Sequence, residues 1–486
     1  VSIDEADPAP PAAPAVNPPS PATEAGLESA PEPRLDPVGD ALAWVDEERL
    51  AASSASGSST TAAYTRRDLL SDGPHRFRSR AGVIVPLTVL AAALGTYAVT
   101  TALWPLHNVA PAVSAVDFTP AAAPAAAVTW PTAGTAAIGI EGLSTVAANE
   151  SQVPMASLTK VVTVLTALDA LPLGVGEQGP TFSFDDVDSA EYWQYREENQ
   201  SSLDVPVDGV LTEYQLLQGI LMGSANNYAD RLSDEIWGSD RDFVAAGERW
   251  LSQRDLAGIE LATPSGFAWD NIATARALVE LGKIAVANPV IGEIVATQAV
   301  DLPGAGTVTN TNRLLGQPGY IGIKTGTIGE DEQELFNLLT AKEITVDGTT
   351  VRMFAAVVAQ PDDASRYDGT AALYDEVEEA LRNQAPTVAK GAVLGSVDTL
   401  WGEHVDVVAG DDARVVLWNG AAASGTTAFS LGDDWAEGAK AGTVTITGPL
   451  DSTDAELVLG SELHGPDFWW RLTHPLELFG LGAVTG

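Results

Sequence analysis

The sequence predicts a mixed α/β chain in which one sheet gathers strands from both ends of a long segment, with helices between them and a small β-rich block after them. Three observations carry this. TAAIGIEGLSTVAANE, from Thr135, reads as strand, turn and strand. SLTKVVTVLTALDAL then opens a stretch, running to about Ala287, whose apolar residues fall at helical spacing. GYIGIKTGT, ELFNLLTAK and VRMFAAVVAQ return to a strand pattern before the helix ALYDEVEEALRN. Strands at both ends of such a segment require a sheet assembled from distant parts of the chain, so we assign residues 133–386 to one α/β domain with a helical lobe. The runs VDVVAG, ARVVLW and GTVTITG are short and broken by Gly and Asp, and place a separate β domain at 390–486.

Ahead of these domains lie three segments of different texture. Residues 1–80 are rich in Pro, Ala, Ser and acidic side chains, too polar to bury a core, and read as a disordered tail. Ala81 to Leu106 carries no charge and exceeds the roughly 20 residues needed to cross a bilayer. Arg66, Arg67, Arg76, Arg78 and Arg80 precede it, and no Lys or Arg occurs between Arg80 and Lys160. The positive-inside rule then leaves the tail cytoplasmic and everything after the span outside a cell membrane crossed once, with Trp104 as interfacial anchor. The Ala- and Pro-rich residues 107–132 read as a linker.

Composition removes several chemistries. A net charge of −41 makes nucleic acid a poor partner, and none is expected, because no run of Lys or Arg is available to displace phosphate counterions. Without cysteine there is no disulfide, thiolate ligand or Cys nucleophile. The five histidines are His75, His107, His404, His464 and His474, so the middle of the chain must work without imidazole. A Ser-His-Asp triad there is ruled out, and neither a metal nor another cofactor is expected.

Three short motifs remain: Ser157-Leu158-Thr159-Lys160, Ser224-Ala225-Asn226 and Lys324-Thr325-Gly326. The chain has only six lysines, so a chance KTG is expected roughly 0.05 times. Ser157 and Lys160 are three apart on an expected helix and share a face. A serine needs an adjacent base, and an amine serves if burial or a second cation, for which Lys324 is the candidate, lowers its pKa. A helix start at Ser157 offers backbone N–H groups to an oxyanion; Gly326 permits close approach of the facing strand, and Thr327 offers a second donor.

These motifs, spaced by 67 and 100 residues, resemble the D-alanyl-D-alanine carboxypeptidases, the low-molecular-mass penicillin-binding proteins. The similarity extends to MASLTK, LLQGILMGSANNYA, TPSGF, IATARALVELGKIAVANP and GYIGIKTGT. It implies an antiparallel sheet flanked by helices, in the fold shared by penicillin-binding proteins and β-lactamases. It further implies that Ser157 is acylated, Lys160 is its base and Ser224 relays a proton to the leaving group. Asn226 would bind a substrate amide, Lys324 and Thr325 the terminal carboxylate, and Arg276 would be a basic residue near the cleft. The implied substrate is the peptidoglycan stem peptide, with β-lactams as covalent inhibitors. Asn227, where the family usually has Asp, and the acidic GTIGEDEQELF after KTG depart from the pattern.

Two other functions use related sequences. A class A-like β-lactamase needs a carboxylate to activate the deacylating water, and Glu248 in GERWLSQ only superficially fits that pattern. A non-catalytic penicillin-binding sensor or scaffold could lose a motif freely, whereas all three are present. Phe468, Trp469, Trp470 and Arg471 form a separate cluster, expected to pack a domain end rather than touch a membrane.

Overall fold

The computed structural model describes residues 81–330 and 333–481. The expected cytoplasmic tail and its arginine cluster lie outside the described residues.

Helix α1 (Ala81–Leu103) is the one helix among the described residues long and apolar enough to cross a membrane, with a mean hydropathy of 1.9 over Gly82–Leu103. At 1.5 Å per residue it spans about 34 Å, and Pro105 prevents its continuation. Strand β1 (Ala112–Ala115) follows, then β2 (Thr135–Ile140) and β3 (Thr145–Ala147). The helical lobe comprises α2 (Thr159–Ala170), α3 (Asp186–Glu197), α4 (Glu213–Leu221), α5 (Asn226–Trp237), α6 (Asp240–Ser252), α7 (Ala275–Ala287) and α8 (Pro289–Ala296). Several of these begin on side-chain caps: Asp185 and Thr212 form capping boxes, and Asn288 caps a helix that starts with proline.

The chain then returns to long strands β4 (Tyr320–Glu330), β5 (Gln333–Val346) and β6 (Thr349–Gln360), followed by α9 (Asp363–Arg382). These strands and the first pair form one antiparallel sheet in the order β4-β5-β6-β2-β3. Strands β2 and β6 are apolar on both faces because helices cover both: Ile138, Met353 and Val357 cluster with Leu373 and Tyr374 of α9, while Ala137, Phe354 and Ala356 join the core of the helical lobe. Strand β4 is left at the edge, with its open side facing the start of α2.

The second sheet contains β7 (Val393–Asp398), β8 (His404–Ala409), β9 (Ser424–Phe429), β10 (Lys440–Thr447) and β11 (Ser452–Leu459). Its order is β1-β7-β8-β11-β10-β9, so part of the expected linker is an edge strand of this sheet. The linker stays attached beyond β1: Ala121 N–H donates to Thr387 O, Ala123 N–H to Ala421 O, and Thr129 N–H to Glu376. Ala-Pro composition hides this, because small side chains form no apolar pattern yet let the backbone approach and pair. Two short helices, α10 (Phe468–Thr473) and α11 (Pro475–Leu478), close the described chain.

Candidate active site

Ser157 sits in the 3₁₀ turn Ala156–Leu158 that leads into α2. Ala156 is held at φ 50°, a left-handed conformation unusual for a residue with a side chain. The TPSGF loop passes so close to this turn that a Cβ on Gly266 would lie 2.1 Å from Ala156 O. That contact explains the glycine. On the other side, a Cβ on Gly326 would meet Met155 O at 3.0 Å and Ser157 N at 3.3 Å, so edge strand β4 lies directly against the backbone of Ser157.

Lys160 follows three residues later, in the first turn of α2, and is completely buried. Its Nζ lies 2.9 Å from Ser157 Oγ, 2.6 Å from Asn226 Oδ1 and 2.6 Å from Ser265 O. The last two atoms are acceptors, so two N–H bonds are committed to them. Asn226 is oriented in turn by its own Nδ2, which donates to Gln200 Oε1 at 2.6 Å. A neutral amine in this position keeps its lone pair for Ser157. Burial lowers the Lys160 pKa to about 7, against an opposing contribution from the Asp230 carboxylate.

Ser224 is buried in the turn just before α5, at φ 62°, two residues from Asn226. Lys324 is buried on β4, where its ammonium donates to Thr325 O at 3.0 Å. Burial first, then the nearby charges of Lys160 and Arg366, hold its pKa well below the usual lysine range. Thr325 Oγ1 shares a 2.6 Å hydrogen bond with Thr311 Oγ1. Thr327 Oγ1 accepts from Arg366 at 3.3 Å.

The structure thus brings Ser157, Lys160, Asn226, Lys324, Thr325, Gly326 and Thr327 around one edge of the sheet, with Ser224 beside Asn226. Arg276 is not among them. It starts α7, pairs with Glu150 at 2.8 Å and donates to Thr145 O. Glu248 is likewise absent, exposed on α6.

Four contributors were not visible in the sequence. Arg366 of α9 staples the β4 strand from behind, donating to Gly326 O at 2.9 Å and Asn337 O at 3.1 Å while pairing with Asp363. Ser265 O accepts from Lys160, and Gln200 holds its other partner, Asn226. Asp230, one turn after Asn226 on α5, accepts from Tyr195 Oη at 2.8 Å. Burial pushes its pKa up to about 6, against the opposing pull of Tyr195 and Lys160. Tyr195, Gln200, Asp230, Ser265 and Phe267 line a cleft of about 490 Å³ adjoining the Lys160 partners. The spacing of four from Asn226 is the one signal in the sequence that could have found Asp230.

Residues 144–355 match the model of the D-alanyl-D-alanine carboxypeptidase family, peptidase S11. No curated protein matches the chain. Among solved structures, it is similar to a D-alanyl-D-alanine carboxypeptidase from Mycobacterium tuberculosis, with 26% identity, a TM-score of 0.44, and coverage of 55% of this chain and 98% of that one. It is also similar to penicillin-binding protein 5 from Haemophilus influenzae, with 18% identity, a TM-score of 0.47, and coverage of 70% and 100%. The Streptomyces K15 DD-transpeptidase gives 22% identity, a TM-score of 0.45, and coverage of 52% and 100%.

Proposed function

We propose that residues 144–355, which match the model of the D-alanyl-D-alanine carboxypeptidase family, work as a serine hydrolase domain of that kind, with the work divided among its residues as follows. Ser157 is the nucleophile and Lys160, neutral, takes its proton. The observation that carries this is the commitment of two Lys160 N–H bonds to Asn226 Oδ1 and Ser265 O, which turns the remaining position of the amine toward Ser157 Oγ. The hydroxyl proton passes to Nζ as Oγ bonds to the scissile carbonyl carbon. The oxyanion is held by the backbone N–H groups of Ser157 and Thr327. Collapse of this intermediate expels D-alanine, protonated through Ser224, and leaves an acyl-enzyme that water hydrolyses.

Lys324 and Thr325 receive the terminal carboxylate of the substrate. That carboxylate supplies the counter-charge that keeps buried Lys324 protonated, which couples recognition to charge in the site. Asn226 orients Lys160 and offers its amide to the peptide. The substrate is then a peptidoglycan stem peptide ending in D-Ala-D-Ala, and a β-lactam, with its similarly placed anion, acylates the same serine. Helix α1 anchors the domain in the bacterial cell membrane with the residues after Leu106 outside, an orientation supported by Arg66 to Arg80 preceding the helix.

Incubating the purified chain with a synthetic peptide ending in D-Ala-D-Ala tests the reaction. D-Alanine release by the native chain and none by Ser157→Ala is expected. Equal release by both proteins would overturn the assignment of the nucleophile.

A further inference from the structure

The C-terminal end of the described chain returns to the far end of α1. The last carbonyls of any helix lack partners within it, and a cation there is favourable. Arg471 fills this role from the opposite end of the sequence, donating to Ala102 O at 3.1 Å and Trp104 O at 3.0 Å. Tyr97 Oη donates to Leu472 O at 2.8 Å, and Trp104 meets the Phe479 ring edge-on at 4.7 Å. On its other side this segment grips the β domain: Trp470 lies edge-on to Trp401 at 6.0 Å, and Trp401 stacks on Trp435 at 6.1 Å.

Trp470 is thus used in packing, as expected from the sequence, but large apolar groups beside it are exposed. Trp469 is 68% exposed, Phe468 50% and Leu476 56%. Large apolar groups gathered on one segment of a soluble surface are unfavourable unless something covers them. Here they sit where an apolar helix ends, the level at which Trp and other aromatic side chains collect at a membrane surface. The ionic setting argues against attraction to anionic headgroups: Asp467, Glu477 and Glu462 flank the segment, and Arg471 is committed to α1.

We propose that α10 and α11 form an interfacial foot, with Phe468, Trp469 and Leu476 inserting into the headgroup layer of the bilayer that holds α1. The β domain is then fixed at the membrane surface by two elements rather than hung from one flexible tether. The proposal rests on reading α1 as a membrane span, and its test separates the two.

Because the chain has no cysteine, single-cysteine variants of the 486-residue chain can be labelled with an environment-sensitive fluorophore without further mutation. Trp469→Cys and Leu476→Cys report the foot, Gly95→Cys the middle of α1, and Glu248→Cys an exposed site on α6. Each is reconstituted in phosphatidylcholine nanodiscs carrying nitroxide lipids, with the quencher either near the headgroup or deep in the acyl chains. Loss of fluorescence at 469 and 476 is expected mainly with the shallow quencher, at 95 mainly with the deep one, and at 248 with neither. Added phosphatidylglycerol should not deepen quenching at 469. Labels at 469 and 476 as unquenched as that at 248, with 95 quenched, would overturn the foot and leave the span intact. If 95 is also unquenched, the span reading fails and takes the foot with it. Quenching at 469 that requires the anionic lipid would overturn apolar insertion.

Discussion

The peptidase region and the C-terminal β domain are both built on antiparallel sheets, yet they treat buried charge in opposite ways. Lys160, Glu213, Lys324 and Arg366 are buried in the first; among the described residues after 387, no polar or charged side chain is buried. The β domain follows the ordinary rule, with Val407, Val444 and Leu457 inside. A buried lysine costs several kcal/mol of desolvation unless its surroundings compensate, so two in one site mark a place where stability has been exchanged for reactivity. The strained backbones at Ala156 and Ser224 fall in the same place.

The contrast predicts that substitutions in the first region change chemistry and that those in the second change only stability. The largest effect is expected for Lys160→Arg. A guanidinium keeps its proton at any usable pH, so acylation by a labelled penicillin should fall about 10²–10⁴-fold, the usual contribution of general base catalysis. Near-normal labelling would place the base elsewhere.

Lys324→Met comes next. It should lose roughly 2–4 kcal/mol of transition-state stabilisation, comparable to removing one oxyanion-hole donor. It should also move the acidic limb of the rate profile to higher pH. The sign follows from mutual repulsion: burial and the Lys160 charge hold the Lys324 pKa down, and a protonated Lys324 in turn disfavours the proton on Lys160, so removing that group lets Lys160 hold its proton longer. A weaker rate with an unmoved limb would assign Lys324 to carboxylate binding alone.

Asp230→Asn should act in the opposite direction with a smaller loss of rate. The Asp230 carboxylate raises the Lys160 pKa, so neutralising it should shift the acidic limb to lower pH, with Asp230→Glu restoring the native profile. An unshifted limb would show that Asp230 only supports the wall of the cleft. Leu457→Ala should leave acylation unchanged while costing about 2–5 kcal/mol of stability by calorimetry or denaturant titration. A drop in acylation rate with the fold intact would mean that the β domain reaches into the chemistry.

The two regions also differed in how far the sequence revealed them. Residues that act through short local spacing were readable: Ser157, in the 3₁₀ turn, and Lys160, in the first turn of α2, are three apart, and Lys324, Thr325 and Gly326 share one strand. The sheet was readable because β2, β5 and β6 are long enough to show their pattern. Ser265, Gln200 and Arg366 were not, since each acts through a contact between segments far apart in sequence, and their residue types are common on surfaces. Strand β1 was hidden by its Ala-rich neighbourhood, where pairing is made by backbone groups that side-chain patterns do not report. Arg276 shows the converse: a basic residue suggested by resemblance, which this chain uses in a pair with Glu150.

The central claim is that Ser157 is acylated with a neutral Lys160 as its base, and the pH dependence of the second-order rate of penicillin acylation tests it most directly. That rate reports the ionisations of the free enzyme. With peptide mapping to locate the adduct, the account predicts label on Ser157 and a rate that rises with pH through about 7, where Lys160 loses its proton. An adduct on another residue, or a rate that stays level across that range, would contradict it.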